Sequence, residues 1–403
     1  MELLSPAGNL QKLKYAISFG ANAVYTAGKD FGLRAKSENL SKAELEKAVE
    51  FCHKKNKKIY VTVNIFAHNS DLEKLPSYLK FLQKINVDAI IVSDPAVFLT
   101  ARENAPELPI HISTQANVIS WKSAEFWKMQ GAKRIILARE LTFSEIKDIR
   151  EKIPDIELEM FIHGSMCVSY SGRCFLSSFL NARSANSGYC TQPCRWEYQL
   201  IEKSRPNEFF RIEEDKYGSY ILNSKDLCLI NRLPEINKIG IDSVKIEGRM
   251  KSLYYVANVT RIYKEALQDA GSDISSQKMK IFNDELNKIS HRHYTEAFFD
   301  KFDSTATQYY DSSTYIRDYQ FIGEIVKTKN NSVFISSRAK FQLGDEIEFI
   351  FPNRKEDFLW KVNNIFNDEG IPISSTKPNT VVKIEPDQKI PSHGIIRKKI
   401  SDK

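Results

Sequence analysis

The sequence predicts an α/β chain: a (β/α)8-type barrel with a cysteine-rich insertion, followed by a small all-β, barrel-like module. Three observations predict this. Eight short apolar, β-branched runs alternate with amphipathic stretches across residues 1–271. Five cysteines crowd an irregular segment between the seventh and eighth runs. From about residue 319 the pattern becomes short strands separated by turns.

The eight runs are Met1–Leu4, Ala23–Tyr25, Lys58–Val63, Ala89–Val92, Ile110–Ser113, Arg134–Leu137, Ile156–Ile162 and Ser243–Ile246. Eight is the number of parallel strands that closes a (β/α) barrel. An open doubly wound sheet is the alternative. Helical periodicity fills the gaps. Ser41-Lys42-Ala43-Glu44 is a capping box, with Leu45, Ala48, Val49 and Cys52 recurring on one face. Thr142-Phe143-Ser144-Glu145 is a second, followed by Ile146, Ile149 and Ile153. Leu253, Val256, Val259, Ile262 and Leu267 mark a long helix, with Gly271 as its stop.

Gly164–Leu229 is the insertion. A structureless loop of that length is expected only where it is functional or pinned. Residues 272–318 read as a polar connector with one helix. In the C-terminal module, 319–403, the expected strands are Phe321–Val326, Ser332–Ser336, Glu346–Phe351, Trp360–Val362 and Thr380–Ile384, punctuated by Asn330-Asn331 and Gly344-Asp345.

Composition excludes whole classes. Hydrophobic residues make up 42% and charged residues 27%, which is folded globular usage and argues against disorder. No apolar run reaches the roughly 18–20 residues of a membrane helix, and the start lacks a basic-then-apolar leader, so a cytoplasmic protein is expected. The net charge of +7 permits a phosphate-rich partner without requiring one. There is no G-x-G-x-x-G after a strand and no G-x-x-x-x-G-K-[ST], so nothing marks a dinucleotide or nucleoside-triphosphate fold.

Of the six cysteines, Cys52 lies on an apolar helix face and reads as a small buried hydrophobe. The other five, Cys167, Cys174, Cys190, Cys194 and Cys228, follow C-x6-C-x15-C-x3-C-x33-C. A reducing compartment argues against disulfides and for metal ligation or catalysis. Thiolates select zinc, copper(I) or iron–sulfur centres. Zinc sites favour paired tight knuckles, and only Cys190-x3-Cys194 comes close to one. The wide spacing suits an iron–sulfur cluster better, with one cysteine left as spectator. A purely structural cluster that staples the insertion is a further reading.

Glu159-Met160-Phe161-Ile162-His163-Gly164-Ser165-Met166-Cys167 with Ser171-Gly172-Arg173-Cys174-Phe175-Leu176-Ser177 resembles the signature of the collagenase-like peptidase family. Met1–Gly8, Ala23-Val24-Tyr25, Phe31–Ala35, Ser224–Cys228, Lys245–Lys251 and His293–Phe299 resemble its other blocks, so the likeness spans roughly residues 1–300. The resemblance implies a [4Fe–4S] cluster on Cys167, Cys174, Cys190 and Cys228, with Cys194 as the alternative ligand. Members with this layout form a tRNA 5-hydroxyuridine branch. They hydroxylate the wobble uridine of tRNA without molecular oxygen, drawing on prephenate. The same family carries the older label of peptidase. The chain shows no H-E-x-x-H and no G-x-S-x-G, and His163-Gly164-Ser165 has no marked orienting acid, so the residues speak weakly for a protease, which leaves the cysteines without a purpose; the hydroxylase is what the resemblance implies.

Barrel chemistry sits at the C-terminal ends of the strands. Those positions offer Ser5, Tyr25, Asn64, Gln115, Arg139, His163, Lys245, Glu247 and Arg249. The expected catalytic set is His163, Lys245, Glu247 and Arg249. Alternation along Lys245-x-Glu247-x-Arg249 places three charges on one face, which is costly inside a barrel unless they pair or meet a ligand. Arg249, and with it Lys251 and Arg34, suits carboxylate or phosphate. His163, beside the first cysteine, reads first as a core or supporting imidazole. For RNA, Arg183, Arg195, Trp196 and the tail Arg397-Lys398-Lys399 are candidates, the tail reading more readily as solvated charge.

Overall fold

Each apolar run becomes a strand because its β-branched residues are covered on both faces, inside by the barrel core and outside by helices. The computed structural model describes residues 1–32, 38–166, 224–272, 274–301, 315–330 and 332–400, with Ser171, Cys174, residues 176–181 and four two-residue strand segments between 200 and 219. The first strands are β1 Glu2–Pro6, β2 Ala23–Ala27, β3 Lys58–Thr62, β4 Ala89–Val92 and β5 Ile110–Ile112. They continue with β6 Arg134–Ile136, β7 Glu157–Ser165, β8 Asp226–Cys228, β9 Ser243–Ile246 and β10 Tyr294–Thr295.

Strands β1 to β7 pair in parallel, in order, and β9 pairs with both β7 and β1. That closes an eight-stranded parallel barrel and excludes the open doubly wound sheet. Strand β8 was not among the expected strands. It adds antiparallel to the upper end of β7, with Cys228 opposite His163, and β10 adds parallel to β8. Strand β7 runs three residues past the expected Ile162 to meet it.

Both capping boxes form as expected, at Ser41 with Glu44 and at Thr142 with Glu145. The helix Leu253–Asp269 is capped by Ser252 and buried on nearly every side. It packs on β1 and on the helix Leu10–Ser18. No helix among the described residues is long and apolar enough to cross a membrane.

The C-terminal strands are β11 Tyr319–Lys329, β12 Ser332–Ser337, β13 Glu346–Ile350, β14 Phe358–Lys361, β15 Thr380–Ile384 and β16 Ile395–Lys399. They form a six-stranded antiparallel sheet in the order β14-β13-β16-β11-β12-β15. It surrounds its own apolar core of Ile335, Phe349, Phe351 and Ile396. Ile350 and Ile395 join the barrel's core instead, so the module is docked rather than tethered.

Two buried arginines fix that docking. Arg397, fully buried, donates to Glu285 at 3.0 Å and to Glu348 at 2.7 Å. Arg261 donates to Asp357 at 2.6 Å and to the Phe351 carbonyl at 3.0 Å. The tail reading of Arg397 as exposed RNA-contacting charge is therefore corrected: β16 is a central strand and its arginine faces the interface.

Candidate functional site

Alternation along β7 and β9 sends Glu157, Glu159 and Phe161, and Ser243 and Lys245, toward the barrel axis. At the lower end Arg134 meets Glu2 at 2.7 Å and Glu157 at 2.8 Å. One layer higher, Glu159 is fully buried and accepts from Arg134 and from Lys245, each at 2.9 Å. Burial pushes the Glu159 carboxyl up, but Lys245 and Arg134 outweigh it and hold it below its ordinary range. Burial likewise lowers the Lys245 amine, against the pull of Glu159. Lys245 is thus engaged within the barrel. Its ammonium lies 4.5 Å from the centre of the Tyr25 ring and 5.4 Å from that of Phe161.

Tyr25 joins this column to the mouth. Its hydroxyl shares its proton between the Ile246 carbonyl at 3.0 Å and Glu247 Oε2 at 3.1 Å. Burial, and then Glu247, push the phenol well above its usual range, so it stays a donor at neutral pH. Strand β9 ends at Ile246, and Gly248, at φ +159°, turns the chain. The expected single-face triplet is therefore spread along the axis: Lys245 below, Glu247 at the Tyr25 hydroxyl, and Arg249 across the mouth, donating to Thr62 Oγ1 at 3.2 Å. Arg139 stacks 4.0 Å from the centre of the Phe161 ring and donates to the Ser165 carbonyl at 3.1 Å. On the opposite wall Asn64 donates to Gln115 at 2.7 Å, and Ser93 to the Asn64 carbonyl at 2.9 Å. Ser5 is buried and paired with Thr260 at 2.9 Å, a packing contact.

Glycine lets these loops interlock. Gly164 adopts φ +111°, and a Cβ there would stand 2.6 Å from the Glu247 carbonyl oxygen. Gly8 is pressed against the Arg249 carbonyl in the same way.

His163 is not at the mouth. A register shift between β7 and β9 turns it outward, onto the helix Leu253–Asp269. Its Nδ1 lies 3.3 Å from the Tyr263 hydroxyl, which donates to the Ile162 carbonyl at 3.0 Å and approaches Cys228 Sγ at 3.7 Å. Burial, then the charge of Lys251, push the imidazole down to about 3, so it is neutral. That places His163 beside Cys228, across the β7–β8 pair and linked to it through the Tyr263 hydroxyl. It has no hydrogen bond to Ser165 of the kind a hydrolytic pair requires.

Cys174 and Cys228 are buried, and burial pushes the Cys228 thiol up to about 11. Such a thiol ionises against a cation. Ser171, three residues before Cys174, donates through its amide and hydroxyl to Glu140 at 2.5 and 2.6 Å. Of the five clustered cysteines, the two described, Cys174 and Cys228, thus belong to segments anchored on the β6–β7–β8 side. Two buried thiols with soft donors fit the chemistry of an iron–sulfur centre. Cys167, Cys190 and Cys194 lie outside the described residues, as do Arg34, Arg183, Arg195 and Trp196. Among the described residues no group of three or more metal-ligating side chains is assembled.

Together these features define a (β/α)8-barrel protein with a polar C-terminal mouth, a buried cysteine, Cys228, on the strand added to β7, and a docked β module. The Peptidase family U32 profile matches residues 8–309, and that of its C-terminal domain matches residues 317–397. The chain therefore belongs to peptidase family U32, the collagenase-like peptidases. It is 40% identical over 401 residues to tRNA hydroxylation protein P1 of Bacillus subtilis (strain 168), covering 98% of this chain and 94% of that one. The chain is 35% identical to tRNA hydroxylation protein P of Escherichia coli (strain K12), covering 94% of this chain and 92% of that one. Uncharacterized protease MJ0090 of Methanocaldococcus jannaschii is 42% identical, over 74% of this chain and 73% of that one.

Proposed function

We propose that this chain is a tRNA-modifying enzyme that hydroxylates the wobble uridine to 5-hydroxyuridine, independently of O2 and drawing on prephenate. The observation that carries the reading is the near full-length likeness to tRNA hydroxylation protein P1, through both the barrel and the C-terminal module. The mouth is compatible with the substrates. The amides of Asn64 and Gln115 match the donor and acceptor edges of a pyrimidine. Arg139 and Arg249 suit a dicarboxylate. Glu247, held by Tyr25, is positioned to accept a proton.

In this reading Cys167, Cys174, Cys190 and Cys228 hold a [4Fe–4S] cluster, with Cys194 as the alternative ligand. The cluster supplies electron transfer or Lewis acidity when bound. Tyr263 and His163 shield and orient Cys228 from the helix side. The barrel, 1–271, carries the chemistry, and the module at 319–403 contributes RNA-facing surface. The protein works in the cytoplasm, where its thiols stay reduced. A peptidase reading has the family label and MJ0090 behind it. The buried, outward-turned His163 gives that reading no nucleophile–base pair.

The test is nucleoside analysis of tRNA from cells with and without the gene, and of tRNA incubated anaerobically with the purified protein and prephenate. Loss of 5-hydroxyuridine in the deletion and prephenate-dependent formation in vitro are expected. Unchanged nucleosides together with peptide-bond cleavage would reverse the assignment.

A further inference from the structure

A cleft of about 450 Å³ opens between the start of the helix Leu253–Asp269 and the edge of the C-terminal module. That volume is in the range of ligand pockets. Among the described residues its lining includes Lys251, Arg317 and Arg338, several aromatic rings and no carboxylate. Arg338 is held by Glu324 at 2.7 Å, which offsets its charge. Lys251 and Arg317 have no ion-pair partner among the described residues. The Lys251 ammonium lies 5.0 Å from the centre of the Tyr315 ring, which is 37% exposed. Deeper in, Tyr254 and Phe321 stack at 5.9 Å with only 7° between their planes. The Arg292 guanidinium also lies 5.1 Å from the centre of the Tyr315 ring. Cations without an ion-pair partner beside a partly exposed ring suit an unstacked nucleotide, phosphate to the cation and base to the ring.

The cleft is joined to the barrel mouth by one turn of chain. Lys251 follows Arg249 by two residues, and its amide donates to the Gly248 carbonyl at 2.9 Å. Tyr255 lines the cleft while its hydroxyl donates to the Glu247 carbonyl at 2.9 Å. A strand of RNA that sends one base into the mouth would lay its neighbour here.

The geometry points to this cleft as the binding site for a nucleotide flanking the modified base in a single-stranded RNA loop. Tyr315 stacks on the base, and Lys251 and Arg317 take the adjoining phosphates. The inference rests on the RNA reading above and adds where the RNA sits.

The experiment measures the affinity of the full-length protein for an anticodon stem-loop RNA across a salt series. Arg317→Glu and Lys251→Ala should each weaken binding about tenfold and lower the salt slope by about one. Tyr315→Ala should weaken it by about five- to a hundredfold, and Tyr315→Phe should restore it. Melting temperatures monitor folding of each variant. If wild-type protein binds the RNA and all four variants bind it within twofold of wild type with an unchanged slope, the cleft assignment is overturned and the hydroxylase reading stands. If a polyglutamate peptide binds, is lost in the same variants and leaves RNA affinity untouched, the cleft belongs to an acidic protein and the proposal fails. If wild-type protein binds no RNA, both readings fall together.

Discussion

Replacing Glu159 with glutamine isolates the charge at the centre of the barrel. The side chain is fully buried and accepts from two cations, each at 2.9 Å. Arg134 keeps Glu2 at 2.7 Å and Glu157 at 2.8 Å after the change. Lys245 does not fare as well: it is 4% exposed and loses the carboxylate on which its ammonium rests. Leaving a buried charge without its partner costs about 3–5 kcal/mol. Lys245→Met should cost less, because Glu159 retains Arg134. The double variant Glu159→Gln/Lys245→Met should be more stable than Glu159→Gln alone, with a coupling of about 1–3 kcal/mol. Urea unfolding followed by far-ultraviolet circular dichroism reads these differences as shifts in midpoint at constant slope. A Glu159→Gln variant within about 1 kcal/mol of wild type, or a double variant whose loss equals the sum of the singles, refutes the claim that this carboxylate holds Lys245 in place.

Gly164→Ala introduces a methyl 2.6 Å from the Glu247 carbonyl at φ +111°, and should cost about 1–3 kcal/mol and depress hydroxylation. Gly240→Ala, at φ +84° with nothing within 4 Å, should cost about 1 kcal/mol and spare activity, as thermal melts and tRNA assays would show. Arg397 and Lys288 hold Glu285 down at about 2, against the opposing push of burial. Its contribution, about 3 kcal/mol, is complete above its ordinary value of 4.5 and fades as pH falls toward 2. Burial raises Asp357 from 3.8 to about 6, so its contribution is complete below 3.8 and fades as pH rises through 6. Melting temperature against pH should peak between these limbs, Glu285→Gln flattening the acid side and Asp357→Asn the other. Anaerobically purified Cys228→Ser should lose iron while Cys194→Ser and Cys52→Ala retain it; the opposite pattern for Cys194 and Cys228 would exchange ligand and spectator.

Local signals carried the barrel. Its eight parallel strands and both capping boxes were legible because alternation and end-capping are short-range. Strand β8 was not. Asp226–Cys228 is three residues long, shows no alternation and gains its sheet partner only where β7 overruns the barrel. The charged triplet at 245–249 stood out, but its division along the axis depends on Glu159, a partner 86 residues away, and on the turn at Gly248. His163 was legible as a neighbour of the cysteines. The register shift that turns it outward depends on hydrogen bonding between strands. Arg397-Lys398-Lys399 looked like a solvated tail because nothing nearby in sequence reports Glu285 or Glu348. Arg261, inside an apolar helix pattern, gave the same silence.

Strand β16 has a consequence for how the chain is made. Ile395–Lys399 lies between β13 and β11, both synthesised before it, and supplies the arginine that reaches across to Glu285 on the barrel side. Until those residues clear the ribosome, the half-sheet has an unfilled slot and the helix Leu253–Asp269 an uncovered flank. A chain truncated shortly before residue 395 should therefore be sticky and protease-sensitive.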